Sequence, residues 1–200
     1  MERRFDQQEL EEDLSKLSHR HRVAFCASVC ERLLPHYIAF SRQVGWGDPM
    51  LLRNLLDEVW RFVTGESPRP DRLSKYALAC DRAIPHTEDH THDLTSAALD
   101  AATAICETLK CTADGDVRRC GEIGGYGRDT VDMYVQLRDG IEASDPTLEA
   151  RILADPLMQQ ELAKQASDLK VLAETKDIDS TIVEQLRGNG RGSLGIEMSS

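Results

Sequence analysis

Apolar residues recur every three or four positions along most of this sequence, and this spacing limits the fold more than any other feature. Between Val23 and Phe40 they form one stripe, at positions 26, 29, 30, 33, 37 and 40. A second stripe extends from Met50 to Val63 and follows Asp48-Pro49, a capping residue and a proline suited to a first helical turn. No stretch of alternating apolar and polar residues predicts a strand. We therefore expect an all-α protein, an irregular multi-helix bundle in a single domain.

The rest of the chain continues this helical pattern. Further helices are predicted over residues 72–84, 94–109, 117–140, 157–172 and 179–186, with a short one after Asp145-Pro146. Pro35 is expected to kink or interrupt the first long helix, and Asp93 to mark the start of the helix from Leu94. The glycines at 121, 124, 125 and 127 predict a break in the helix that begins near residue 117. The predicted organisation is a helical domain over 1–187 and a glycine-rich, non-helical tail over 188–200.

The balance of charge limits the classes of partner. The chain has 35 acidic against 24 basic residues, a formal net charge of -11. Such a surface repels phosphate, so we expect neither nucleic acid nor an anionic membrane as a partner. The acidic start of the chain lacks the apolar stretch of a signal peptide, and Glu31 and Arg32 interrupt the longest apolar run. These features predict a cytoplasmic protein whose apolar helix is buried in its own core.

The cysteines do not form a recognisable motif. None of the six has the C-x-x-C spacing of zinc and redox sites, and disulfides are not expected in a cytoplasmic chain of 200 residues. Cys26 and Cys30 lie four residues apart on one helical face, and they could supply half of a metal site. The simpler interpretation is that both are small core residues.

A cluster of potential metal ligands lies between residues 86 and 93. His86, His90 and His92 are interspersed there with three acidic residues. Imidazole and carboxylate groups are common metal ligands, so these three histidines are candidate ligands. The alternative is a solvated polar loop before the next helix, because short clusters of this kind also arise by composition alone. On that interpretation the protein needs no cofactor, and we predict none.

Candidate residues for binding a protein partner follow from an unusual tryptophan and from the distribution of acids. Trp46 stands between two glycines, where it either fills the core or serves as an exposed anchor for recognition. Residues 86–116 carry seven acids against one base, a bias that favours a partner with a basic face. The candidate partner-binding residues are Trp46, Asp48, Arg53, Asp57, Asp89 and Asp100. Three of these acids, Asp57, Asp89 and Asp100, could instead converge for acid–base chemistry, or form caps and ion pairs with Arg32 or Arg53.

Four short motifs stand out along the chain. They are Cys30-Glu31-Arg32-Leu33-Leu34-Pro35-His36-Tyr37, Gly45-Trp46-Gly47-Asp48, Leu56-Asp57-Glu58-Val59-Trp60 and Gly192-Ser193-Leu194-Gly195-Ile196. Together they resemble the YjaG-like family of bacterial proteins over nearly the whole chain. The resemblance implies an all-helical cytoplasmic fold without an assigned activity, and genome context suggests an association with histidine-kinase signalling. It supplies no catalytic residues, and the chain departs from the family around residues 86–92, so a role of the histidines there is not expected to be a family property.

The sequence therefore predicts a non-enzymatic regulatory or adaptor protein that binds another protein, with a signalling kinase as one type of partner. An acidic immunity-type protein that neutralises a basic toxin fits the same charge pattern. A small metal-dependent enzyme using the cluster at 86–93 is the alternative from another class. A homodimer is also compatible with the kinked apolar helix and the short tail.

Overall fold

The helices account for almost all of the regular structure. The computed structural model describes residues 4–67 and 70–188, with residues 70–74 and 77 described by their backbone. Over these ranges the helices are α1 (Gln7–Ser15), α2 (His19–Val44), α3 (Pro49–Val63), α4 (Pro70–Asp81), α5 (Thr95–Asp114), α6 (Val117–Asp139), α7 (Leu148–Ala154), α8 (Pro156–Glu174) and α9 (Ser180–Arg187). The described part of the chain contains no strand, which confirms the all-α prediction. The predicted tail after Gly188 lies outside these ranges.

Helix α2 is the centre of the bundle. It packs against α3, α5, α6, α8 and α9, and residues on all of its faces are buried. By length and hydropathy α2 could span a membrane, but 78% of its most apolar window is buried within the molecule, as in the core helix of a bundle. The helix continues through Pro35, so of the two predicted effects of this proline the interruption is wrong.

Local capping signals set many of the helix boundaries. The side chains of Asp48, Asp155 and Asp179 accept hydrogen bonds from the first turns of α3, α8 and α9, and the first of these confirms the cap predicted at Asp48. The predicted cap at Asp93 is wrong, because α5 begins one residue later, at Thr95, and no side chain of the described residues caps it. Thr95 instead fixes the loop before α5, since its hydroxyl donates to the carbonyl of His90.

The glycines of α6 do not break the helix, so that prediction is wrong as well. Gly121, Gly124 and Gly127 are spaced by three and lie under side chains of neighbouring helices. A Cβ at Gly124 would lie 2.7 Å from Leu10 Cδ2 of α1, and one at Gly127 would lie 2.7 Å from Glu161 Oε1 of α8. These glycines therefore allow α1 and α8 to approach the backbone of α6 closely.

A buried ion-pair network joins α2 to α8. Arg32 donates to both carboxylate oxygens of Glu161, at 2.8 and 2.7 Å, and it lies 3.4 Å from Asp168. Ser28 donates to the same Asp168 carboxylate at 2.7 Å. For Arg32, the sequence suggested an ion pair with Asp57, Asp89 or Asp100. The structure corrects this prediction, because α8 brings carboxylates that are distant in sequence to the buried face of α2.

Candidate functional site

The most distinctive surface feature is the connection between α2 and α3, which we call the Trp46 turn (residues 45–48). Gly45 and Gly47 have positive φ angles of 72° and 94°, a conformation that favours glycine at both positions. Trp46 lies half-buried between them, with its ring centroid 6.2 Å from that of Phe40 and 4.9 Å from that of His90. The structure thus gives Trp46 neither of the two predicted extremes: one part packs on aromatic rings and the rest is accessible.

The Trp46 turn is held in place by Tyr37. The buried Tyr37 hydroxyl donates to the carbonyl of Ala83 at 2.7 Å and accepts from the backbone N–H of Asp48 at 3.3 Å. A Cβ at Gly47 would lie 2.5 Å from the Tyr37 hydroxyl oxygen, so only glycine allows this approach. Burial raises the pKa of Tyr37, so this hydroxyl keeps the proton that it donates. The buried Tyr37 side chain therefore fixes the conformation of the turn.

The surface around Trp46 combines apolar and acidic groups. Met50, at the start of α3, is 68% exposed. Asp48 in the turn is exposed, and so are Glu88 and Asp89 in the loop that precedes His90. Since His90 contacts Trp46, this acidic loop lies beside the turn. Of the predicted partner-binding residues, Trp46, Asp48 and Asp89 thus share one region.

The histidines predicted as metal ligands make packing and hydrogen-bond contacts or are exposed. His90 and His92 pack edge-on against Phe40, with centroid separations of 5.4 and 6.5 Å, whereas His86 is exposed. The Nδ1 atom of His92 accepts from the backbone N–H of Leu94. Within residues 4–67 and 70–188, one group of His, Cys or acidic side chains converges tightly enough for a metal, and it contains no histidine. His86, His90 and His92 therefore do not form a joint site in this structure.

Arg53 and Asp57 belong to an ion-pair cluster that ties α9 to α2 and α3. Arg53 binds Glu31 with two hydrogen bonds, at 2.7 and 3.0 Å, and Asp57 with one at 2.7 Å. Arg187 of α9 donates to Glu31 at 3.0 Å and to Asp57 at 3.1 Å, and it lies over the ring of Trp60. These two predicted partner-binding residues are thus occupied by contacts within the chain.

Asp100 lies apart from the other predicted acids, on the contact between α5 and α6. The Thr130 hydroxyl donates to its carboxylate at 2.9 Å. Burial raises the pKa of Asp100 to about 6, although the Thr130 hydrogen bond opposes this shift. Asp57 and Asp100 thus have different partners on different helices, and the structure does not bring them together for acid–base chemistry.

A cleft of about 1030 Å³ opens between α1, the start of α2 and α8. Its walls carry both basic and acidic side chains, and Lys16 is paired with Asp13 at 2.7 Å. At its rim His21 donates from Nε2 to the carbonyl of Thr175 at 2.9 Å. The walls of the cleft therefore carry mixed charge, whereas the loop beside the Trp46 turn carries the exposed acids Glu88 and Asp89.

Three of the cysteines come together in a way that their spacing did not predict. The Sγ atoms of Cys26, Cys111 and Cys120 all lie within 4.8 Å of one another, in a group that we call the thiol cluster. Burial raises the pKa of Cys26, whereas hydrogen bonds with Cys111 and Cys26 lower that of Cys120. Cys30 does not join, because its Sγ contacts the Thr108 hydroxyl at 3.2 Å. The structure thus places Cys26 beside thiols of two other helices and not beside Cys30, so the predicted Cys26–Cys30 half-site is wrong.

Cys80 and Cys106 form a disulfide between α4 and α5, contrary to the expectation that the chain has none. Their Cα atoms lie 5.6 Å apart, a separation that suits such a bond. The expectation rested on the predicted compartment and on spacing alone. Neither shows which cysteines the packing of α4 on α5 brings face to face.

Comparison with known proteins identifies relatives over nearly the whole chain. A family model described as "Protein of unknown function (DUF416)" matches residues 9–196. The uncharacterized protein YjaG of Escherichia coli (strain K12) is 28% identical over 191 residues, covering 92% of this chain and 93% of the relative. An uncharacterized protein of Haemophilus influenzae is 23% identical over 193 residues, covering 92% and 94%.

A solved structure shows the same fold. The crystal structure of a DUF416 family protein from Shewanella baltica OS155 aligns with a TM-score of 0.79 at 22% identity, covering 90% of this chain and 92% of that one. The helical fold and the predicted family resemblance are thus confirmed. The chain belongs to the DUF416 family of proteins of unknown function.

Proposed function

We propose that this protein is a non-enzymatic regulatory or adaptor protein that binds another protein through the Trp46 turn. The observation that carries this proposal is the half-buried Trp46 held between two positive-φ glycines. Aromatic anchors with a fixed conformation are typical of binding hot spots, because little side-chain entropy is lost when a partner covers them. The exposed Met50 beside the turn adds adaptable apolar surface.

The partner is proposed to present a basic face. Asp48, Glu88 and Asp89 are exposed around Trp46, and the chain as a whole carries a net charge of -11. Such a field accelerates association with a basic partner and weakens as salt screens it. A signalling kinase and a basic toxin are two partner types that this surface suits, and both would be met in the cytoplasm.

Arg53, Asp57 and Asp100 are left out of the proposed surface, although the sequence suggested them. The first two are paired within the α2–α3–α9 ion cluster, and the third accepts a hydrogen bond from Thr130. Residues whose hydrogen bonds are already made gain little by exchanging them for those of a partner.

Affinity capture from native lysate with Trp46→Ala tests the proposal. We expect the wild-type chain to retain a specific protein at low salt, and Trp46→Ala to lose most of it while its circular dichroism spectrum shows that it is still folded. Leu137→Ala is the matched control, since Leu137 is 58% exposed on α6 and lies outside the turn. Equal retention by Trp46→Ala and wild type would overturn the proposal. Sedimentation of the purified wild type and of Trp46→Ala tests the alternative that the turn binds a second copy of the chain. In that case the wild type is a dimer and Trp46→Ala is a monomer.

A further inference from the structure

Three thiols from separate helices meet in the core. Cys26 is on α2, Cys111 is near the end of α5 and Cys120 is in the second turn of α6, and each is fully buried. Their Sγ atoms lie within 4.8 Å of one another, and those of Cys111 and Cys120 are 3.7 Å apart. The cluster is independent of the Trp46 turn, which lies at the opposite end of α2 from Cys26.

These separations suit a single metal ion. Metal–thiolate bonds are about 2.3 Å long, so three sulfurs around one ion lie roughly 3.8–4.0 Å apart in tetrahedral or trigonal geometry. The 3.7 Å separation of Cys111 and Cys120 is already close to this value. Small rotamer changes within the 4.8 Å limit would bring Cys26 to the same distance.

The number of ligands selects the kind of ion. Among the residues that the structure describes, no fourth His, Cys or acidic side chain joins the three thiols. Zinc in structural sites almost always takes four ligands, whereas the softer Cu(I) also forms stable complexes with three thiolates. From this geometry we propose that Cys26, Cys111 and Cys120 bind one Cu(I) ion in a three-thiolate site.

The charge around the cluster supports this assignment. Three thiolates and one Cu(I) leave a net charge of about −2, which needs nearby positive charge in a buried site. Arg22 lies one turn before Cys26 on α2 and acts electrostatically on Cys120. Its Nη1 donates to the carbonyl of Leu17 at 2.8 Å, whereas its buried Nε has no hydrogen-bond partner in the described part of the chain, so the positive charge of this guanidinium can compensate the site. Binding displaces the thiol protons to solvent.

The turn between α5 and α6 joins the two helices that carry Cys111 and Cys120. This connection consists of Gly115 and Asp116, and Cys111 and Cys120 lie on either side of it. His19 covers the turn: it donates from Nε2 to the carbonyl of Cys111 at 2.7 Å, and a Cβ at Gly115 would lie 2.5 Å from its ring. His19 is thus a positioning residue, and His19→Ala is expected to speed metal release without removing a ligand.

Titration of the untagged full-length chain with Cu(I) tests the site. The chain is kept under argon with ascorbate, which maintains Cu(I), and a chromophoric chelator competes for the ion. We expect one Cu(I) per chain, and X-ray absorption should show three sulfur neighbours at about 2.3 Å. Cys26→Ser, Cys111→Ser and Cys120→Ser should each lower the affinity by more than about 100-fold.

Cys30→Ser is the matched control, because Cys30 is equally buried on the same helix but lies outside the cluster. It should bind Cu(I) as the wild type does. Equal losses in Cys30→Ser and Cys120→Ser, fewer than three sulfur neighbours, or Zn(II) bound in preference to Cu(I) would each overturn the proposal. If a serine variant fails to fold, the melting temperature of the wild type is measured with and without Cu(I). A bound ion must raise this temperature, and an unchanged value contradicts the site.

Discussion

At the scale of single residues, burial and the charge of the neighbouring groups together decide which carboxyl groups keep their charge. Burial alone would raise the pKa of Glu161, but the Arg32 guanidinium outweighs it and holds that pKa below its usual range. The ion pair therefore contributes stability above the pKa of an unfolded Glu, near 4.5, and this contribution is lost as the pH falls through the lower pKa of the folded state. Asp100, which has no cationic partner of this kind among the residues that the structure describes, has a raised pKa instead.

Replacing Glu161 alone should be among the most damaging single changes. Glu161→Leu leaves Arg32 buried without its main partner, and we expect the free energy of unfolding to fall by about 3–5 kcal/mol in urea titrations. The double variant Arg32→Met/Glu161→Leu should lose less. Glu174→Ala is the control, because Glu174 and Lys170 form an exposed pair whose loss costs about 0–1 kcal/mol. A Glu161→Leu variant as stable as this control would contradict the account.

Asp100 should make the protein less stable at neutral pH. Its folded pKa, about 6, lies above the usual 3.8, so the stability it contributes below pH 4 is lost as the pH rises through 6. Asp100→Asn should remove this loss and raise the free energy of unfolding by about 1–2 kcal/mol at pH 7. Asp89→Asn, at an exposed position, controls for the change of net charge. The comparison is made at pH 4 and pH 7, and a gain that is equal at both values would be inconsistent with this pKa.

At the scale of helices, local signals are readable from sequence and packing partners are not. A capping residue can be recognised in the sequence because it binds only the first turn of its own helix, as Asp48, Asp155 and Asp179 do at the starts of α3, α8 and α9. The glycines of α6 were misinterpreted because the same residues that weaken a helix also permit close packing, and only the positions of α1 and α8 distinguish the two. The thiol cluster was missed for the same reason, since its members are up to 94 positions apart.

Two neighbouring glycines of α6 should respond in opposite directions to alanine. Gly127→Ala places a Cβ 2.7 Å from Glu161 Oε1, so we expect a loss of about 1–3 kcal/mol. Gly125→Ala meets its nearest atom at 3.9 Å and should gain up to about 1 kcal/mol, because alanine favours a helix more than glycine does. Thermal denaturation of both variants measures the difference. Equal effects would mean that α6 is not packed as described.

At the scale of the whole molecule, the bundle is held together by ion pairs between α2 and α3 and the late helices α8 and α9, and by a disulfide, as well as by its core. The ion-pair cluster joins α9 to α2 and α3, the Arg32 network joins α8 to α2, and the disulfide joins α4 to α5. The class of fold could be predicted from periodicity because every helix has to bury its apolar stripe. The Trp46 turn could be predicted in part. Its glycines are recognisable in the sequence, but the contacts that Tyr37 and His90 make with the turn depend on the packing of distant segments.

The disulfide should stabilise the folded chain measurably. Cys80 and Cys106 are separated by 26 positions, and closing a loop of that length restricts the unfolded chain by about 3 kcal/mol. We expect a reductant to lower the melting temperature of the wild type, and to leave that of Cys80→Ser/Cys106→Ser unchanged. An equal response of both proteins would contradict the assignment of this bond.

The central claim is that the Trp46 turn binds a basic protein partner. Calorimetry of the captured partner with wild type, Trp46→Ala and Leu137→Ala, each at low and high salt, tests it most directly. The account predicts that affinity falls with salt for the wild type and for Leu137→Ala, and that Trp46→Ala binds at least about 30-fold more weakly at low salt, the effect of losing a hot-spot residue. An affinity that is independent of salt and unchanged in Trp46→Ala would contradict it.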